Sequence, residues 1–123
     1  MKTQNLANFL KRFFSYYLLA QKGLALNTIL AYRDAMKLLL CFAADTLQKS
    51  VEALALEDLN ETLILAFLEQ IEKARGCCPA TRNARLAAIR AFFGFIAREE
   101  PQMVAQAQLI GSIPRKRTGC KTA

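Results

Sequence analysis

The sequence predicts an all-α protein, a compact bundle of four main helices followed by a short fifth. Three observations predict it. Apolar residues recur every three or four positions along most of the chain, the spacing of one helix face, and no strand pattern appears. Gly23, Gly76 and Pro101 follow three of the periodic stretches closely and a polar run follows another, so the connections are short. Apolar residues make up 54% of the 123, too many for a disordered chain and sufficient for one modest core.

Each element follows from its stripe. Residues 4–20 read as a first amphipathic helix, with Leu6, Phe9, Leu10, Phe13, Tyr17 and Leu18 inward and Lys11, Arg12 and Ser15 off the stripe. Lys22-Gly23 ends it, because glycine just past a helix takes the left-handed cap conformation at little cost. A second helix over residues 26–44 buries Ile29, Tyr32, Met36, Leu39, Leu40 and Ala43, and keeps Asn27, Asp34 and Lys37 wet. Asp45 to Glu52 is a polar connector.

The third helix is expected from Glu57 to Ala74, with Leu59, Leu63, Ala66, Phe67, Ile71 and Ala74 inward. Glu57, Asp58 and Glu61 lie near its start, where the helix dipole favours acidic groups. The fourth runs from Pro79 or Ala80 to Arg98, with Pro79 in the first turn, where its missing N–H costs nothing. Leu86, Ile89, Phe93 and Ile96 form its stripe, and Ala84, Ala87, Ala88, Ala91 and Gly94 lie opposite. Glu99-Glu100-Pro101 breaks it, and a short fifth helix over residues 102–109 is suggested by Met103, Ala107 and Ile110. The expected division is a helical domain over residues 1–111 and a basic linker over 112–123.

Charge narrows the function. The net charge is +7 with a pI near 9.5, which points to nucleic acid or another anionic surface as partner. Residues 1–50 carry net +5, 51–74 net −5, 75–98 net +5 and 99–123 net +2. This alternation suggests an acidic segment turned away from a surface that the basic segments share. A solvated charged face with no partner accounts for the same pattern.

Other classes are disfavoured. The four cysteines (Cys41, Cys77, Cys78 and Cys120) make no C-x-x-C pair, and there is no histidine, so neither a zinc site nor another metal site is expected. Reduced thiols in a cytoplasmic protein are the economical reading. The most apolar run, Leu24 to Ala44, is interrupted by Arg33, Asp34 and Lys37, so no membrane span is expected. No phosphate-cradling Gly-rich loop appears, and no cofactor is expected.

Two helices begin with the same device. Lys22-Gly23-Leu24-Ala25-Leu26-Asn27-Thr28 and Arg75-Gly76-Cys77-Cys78-Pro79-Ala80-Thr81 both read basic residue, Gly, four residues, Thr, then helix. Free backbone N–H groups and the positive end of the dipole at such a start favour phosphate. Two ordinary Gly-capped corners with a local Thr cap explain the echo equally well.

These blocks, taken in order, resemble a known family. Lys22-Gly23-Leu24 with Asn27-Thr28-Ile29 and Ala31-Tyr32-Arg33, then Leu56-Glu57-Asp58-Leu59, then Pro79-Ala80-Thr81-Arg82-Asn83 and Arg85-Leu86-Ala87-Ala88-Ile89-Arg90 look like the N-terminal core-binding domain of tyrosine recombinases, the phage integrases and Xer-type enzymes. Ile113-Pro114-Arg115-Lys116 looks like that family's linker to its catalytic domain. Ala25 and Cys78 stand where the family usually has Ser, and Ala84 where a further Arg is common.

The resemblance implies a SAM-like helical domain forming half of a clamp around duplex DNA at a recombination site. Lys22, Thr28, Arg33 and Lys37 would serve one contact surface, and Thr81, Arg82, Asn83, Arg85 and Arg90 the other. Arg115, Lys116 and Arg117 would add basic contacts along the linker. Implied partners are double-stranded DNA, a recombinase catalytic domain and other recombinase protomers. The family cleaves with a tyrosine amid arginines and a histidine. This chain has no histidine, and Tyr16, Tyr17 and Tyr32 lie in early helices, so it is expected to bind DNA without cleaving it. Replacing Arg82 and Arg85 with Ala is expected to leave the fold intact and weaken DNA binding. Two alternatives remain: a protein–protein module docking through Phe92, Phe95 and the Ala/Gly face, and a small DNA-binding regulator unrelated to recombination.

Overall fold

The computed structural model describes residues 6–75 and 79–116. Among these residues five α-helices make the fold: α1 (Leu6–Arg12), α2 (Leu26–Leu47), α3 (Glu61–Arg75), α4 (Pro79–Glu99) and α5 (Val104–Gly111). No strand occurs among the described residues.

The first helix changes pitch part-way. From Phe13 to Gln21 it continues as a π-helix, where each turn takes in more residues than an α-turn. Phe13 and Leu18 supply the reason. They lie five residues apart, a spacing that would send them to different sides of an α-helix, yet both are completely buried. The wider turn puts them on one face. Its end is capped by Gly23 at φ +61°, while the Lys22 N–H donates to the Tyr17 carbonyl (2.9 Å) and the Leu24 N–H to the Leu18 carbonyl (3.1 Å).

α2 starts after Ala25, which is extended and offers no side-chain cap, and it runs three residues beyond the expected Ala44. Losing a hydroxyl cap there costs on the order of 1 kcal/mol. The helix stops at Gln48, in the left-handed region at φ 56°, with its side-chain Nε2 donating to the Asp45 carbonyl (2.8 Å).

α3 begins later than its acidic residues suggest. Glu57 and Asp58 belong to a 3-10 turn (Leu56–Asp58), and Asn60 caps the helix by accepting the Leu63 N–H at 3.0 Å. The Asp58 carboxylate reaches back to the Ala55 N–H (3.0 Å) and outward to Lys49 Nζ (2.9 Å), which pins the connector from α2. With the later start, Ile64 and Leu68 join Leu63, Phe67 and Ile71 in the core, while Ala66 is exposed.

α4 is the axis of the bundle, packed against α2, α3, α5 and the π-helical segment. Leu86, Ile89, Phe93 and Ile96 are buried as their spacing predicts, and so are Ala88, Phe92 and Phe95. This corrects the docking alternative. Phe92 is 0% exposed and Phe95 3%, because Phe13 stacks its ring edge-on against Phe92 (5.3 Å between centroids) and tilted against Phe95 (5.7 Å). Arg12 pairs with Glu99 across the same contact. α5 follows a 3-10 turn (Pro101–Met103) and buries Ala107 and Ile110, while Gln106 Nε2 donates to the carbonyls of Leu56 (2.9 Å) and Leu59 (3.0 Å).

Candidate nucleic-acid interface

The buried face of α2 decides which of its cations face water. Ile29, Met36, Leu39 and Ala43 face the core, which turns Arg33 and Lys37 outward, one turn apart. Leu26 and Leu30, 66% and 44% exposed, continue the same stripe toward the helix start. Lys22 is also exposed, with Nζ 5.8 Å from the centre of the Tyr17 ring, and Thr28 is half-buried. Arg33 further lines a shallow groove of about 400 Å³ with Leu10, Lys11, Phe14, Ser15 and Ile29. Lys11 is a cation that sequence reasoning left out. Its place off the first stripe could have suggested it.

On α4 the expected residues divide. Arg90 is exposed and Thr81 half-buried. Arg85 is half-buried, its Nη1 3.7 Å from Asp34 Oδ2 on α2 and its Nε buried without a hydrogen bond. Arg82 and Asn83 lie inside, 6% and 3% exposed. Arg82 precedes Leu86 by four residues and Asn83 by three, so the helix places both beside the apolar stripe. That spacing was the available signal, and their residue types concealed it.

Several polar atoms of this buried pair hold residues 114–116, while Arg82 Nε is buried without a hydrogen bond. Arg82 Nη1 donates to the Pro114 carbonyl (2.9 Å) and to Asn83 Oδ1 (3.3 Å). Asn83 Nδ2 donates to the Lys116 carbonyl (2.7 Å), and Asn83 Oδ1 accepts the Lys116 N–H (2.9 Å). Lys116 Nζ pairs with Glu72 of α3 at 2.8 Å. In this arrangement Arg82, Asn83 and Lys116 tie residues 114–116 to α4 and α3. Arg82 is therefore not a freely removable surface charge, contrary to the expectation that its replacement would spare the fold.

Arg115 sits between these attachments and stays exposed. It lines a groove of about 610 Å³ with Ala80, Asn83, Ala84, Ala87 and Arg90. Two arginines thus flank a wall of bare methyl groups along α4. Arg117 and the second copy of the Gly turn (Gly76 to Cys78) lie outside the described residues. In the first copy Gly23 does adopt the left-handed conformation that the turn calls for.

Of the described cations expected to meet DNA, Lys22, Arg33 and Lys37 beside or on α2, Arg90 on α4, and Arg115 and Lys116 beyond α5 are exposed, and Lys116 is paired with Glu72. α2 and α4 pack directly on each other and are tied by Arg85 and Asp34. No described helix is long and apolar enough to cross a membrane.

Comparison with known proteins gives this geometry a context. Residues 10–100 match the phage integrase N-terminal SAM-like domain. Two proteins of Sinorhizobium fredii, both described as candidate integrase/recombinases, align along most of the chain. One, y4rD, is 46% identical over 91% of this chain and 40% of its own length. The other, y4rC, is 40% identical over 94% of this chain and 35% of its own length. The chain thus spans two fifths or less of the curated relatives it matches. No solved structure matches it significantly.

Proposed function

The chain belongs to the phage integrase N-terminal SAM-like family, and from that premise we propose that it is the DNA-holding part of a site-specific recombinase. It grips duplex DNA at a recombination site through α2 and the first half of α4. The observation that carries this reading is the set of exposed cations on or beside two helices packed against each other: Lys22 ahead of α2, Arg33 and Lys37 on it, Arg90 on α4, and Arg115 at the α4 groove. Such groups neutralise phosphates and release counterions, which supplies most of the non-specific affinity for DNA. With bare Ala84 and Ala87 between Arg90 and Arg115, a sugar–phosphate strand can approach α4 closely.

Strand cleavage is assigned elsewhere. The sequence contains no histidine, and Tyr17 is engaged by aromatic rings and by Arg98, whose guanidinium lies 5.5 Å from its ring centre. The catalytic arginines, histidine and tyrosine belong to a further part of the recombinase, and residues 112–123 form the connection to it. Partners are the duplex, that catalytic part and other protomers on the same site.

Fluorescence anisotropy with a labelled duplex tests the binding, and denaturing electrophoresis of the same mixture tests for cleavage. Salt-sensitive binding with neither nicked strand nor covalent adduct is expected. Binding indifferent to salt, or an adduct formed by this chain, would contradict the reading.

A further inference from the structure

We propose that Asn83, backed by Arg82, is a positioning residue that sets Arg115 beside Arg90 at the α4 groove, rather than a residue that itself meets DNA. The inference rests on the reading of the site given above.

The geometry singles out Asn83 for this role. Its carboxamide meets both backbone groups of one residue, donating to the Lys116 carbonyl at 2.7 Å and accepting the Lys116 N–H at 2.9 Å. An amide carries a donor and an acceptor side by side, so it alone among short side chains can match a peptide in this two-point way. Asn83 is itself only 3% exposed, and the pairing with the exposed Lys116 is part-buried, which limits competition from water. One residue earlier along α4, Arg82 holds the Pro114 carbonyl at 2.9 Å. Ile113 is fixed from the other side, with its side chain in the core and its N–H donating to the Ile110 carbonyl at 3.1 Å.

Residues 113, 114 and 116 are thus each tied down, and Arg115 lies exposed between Pro114 and Lys116, which are exposed too, with the Lys116 ammonium paired to Glu72. Its backbone is held on both sides, so its side chain leaves from a fixed point against Ala80, Ala84 and Ala87. An arginine held in place loses less freedom when it meets a phosphate than one on a loose tail. Asn83 would therefore raise DNA affinity without contacting DNA, by acting through Arg115.

A double-mutant cycle on duplex affinity, paired with amide hydrogen exchange in the absence of DNA, tests this. Asn83→Leu removes both bonds, and Asn83→Asp keeps the acceptor while opposing the Lys116 carbonyl with a second oxygen. Asn83→Leu should speed Lys116 N–H exchange by about tenfold or more, and Asn83→Asp, which still accepts that N–H, by less, while both leave the amides of Leu86 to Ile96 unchanged. Lys116→Ala loses only the Glu72 pair and should leave α4's hold on the backbone intact. Arg115→Ala should weaken duplex binding by about three- to tenfold at moderate salt, Asn83→Leu by a similar factor, and the double variant by no more than either.

Effects of Asn83→Leu and Arg115→Ala that multiply would overturn the proposal, because Asn83 would then act independently of Arg115. So would Lys116 exchange that is unchanged in both Asn83 variants, or that speeds only in step with the α4 core. Absence of duplex binding by the unaltered chain would instead refute the DNA reading itself, and the exchange measurement would still decide whether Asn83 holds Lys116.

Discussion

Asp34 on α2 and Arg85 on α4 face each other across the two helices that carry Arg33, Lys37 and Arg90, with 3.7 Å between Oδ2 and Nη1. The carboxylate is 64% exposed and the guanidinium 20%, so the pair is a loose link at the rim. It places one negative charge within a basic surface, next in sequence to Arg33 and one turn from Lys37.

Removing that charge should favour DNA. Exposed pairs of this kind contribute less than about 1 kcal/mol, so Asp34→Asn should barely move the unfolding midpoint. Duplex affinity should rise by roughly threefold as Arg85 is released and a repulsion of phosphate is lost. A fall in affinity would show that Asp34 holds Arg85 where DNA needs it.

Arg82 predicts the opposite balance. Its guanidinium is buried and bonded to the Pro114 carbonyl, and losing a hydrogen bond of that charged kind costs about 1.5–3 kcal/mol. Arg82→Ala should therefore lower stability in urea titrations by that order, whereas Arg90→Ala should leave it unchanged. Equal stability in the two variants would contradict the buried position of Arg82.

Phe92 reports on the bundle axis. With Phe13 edge-on at 5.3 Å and Phe93 at 5.4 Å, it has no surface to offer a partner. Phe92→Ala should cost about 3–5 kcal/mol through the cavity it leaves. A stably folded variant of unaltered unfolding midpoint would return Phe92 to the surface.

Acid should act on the connector between α2 and α3. Burial pushes the Asp58 carboxyl up, but the Ala55 N–H and Lys49 outweigh it, and the net shift is downward. A carboxyl lowered by folding contributes stability above its unfolded value, near pH 3.9, and that contribution fades as pH falls through the folded value. Asp58→Asn should therefore lower stability at pH 7 and bring the variant and the unaltered chain closer together as the solution is acidified. A constant difference across that range would contradict the assignment.

The parts of this molecule legible in its sequence are those set by local spacing. The stripe of Leu86, Ile89, Phe93 and Ile96 oriented α4, and Ile29 with Met36 oriented α2 well enough to turn Arg33 and Lys37 outward. The π-helix was missed because Phe13 and Leu18 share a face only if the turn widens, and an α-helical template assumes that it does not. Glu57 and Asp58 suggested an early start for α3 by their charge, while the cap that starts it is Asn60. The hold of Asn83 on Lys116 joins residues 33 apart, and that of Arg82 on Pro114 joins residues 32 apart, beyond the reach of any periodic pattern. Arg and Asn in a basic stretch read as DNA contacts by type, although their positions just before Leu86 pointed inward.

The salt dependence of duplex binding, compared between the unaltered chain and a variant lacking Arg33, Lys37, Arg90 and Arg115, tests the central claim most directly. Each phosphate contact contributes about 0.9 to the slope of log affinity against log salt, so four lost contacts should flatten it by roughly 3.6. These side chains are exposed, and the variant should keep its helical content and unfolding midpoint. A folded variant with a flattened slope and weakened binding is the predicted result. A folded variant that binds duplex DNA with an unchanged slope would contradict the account.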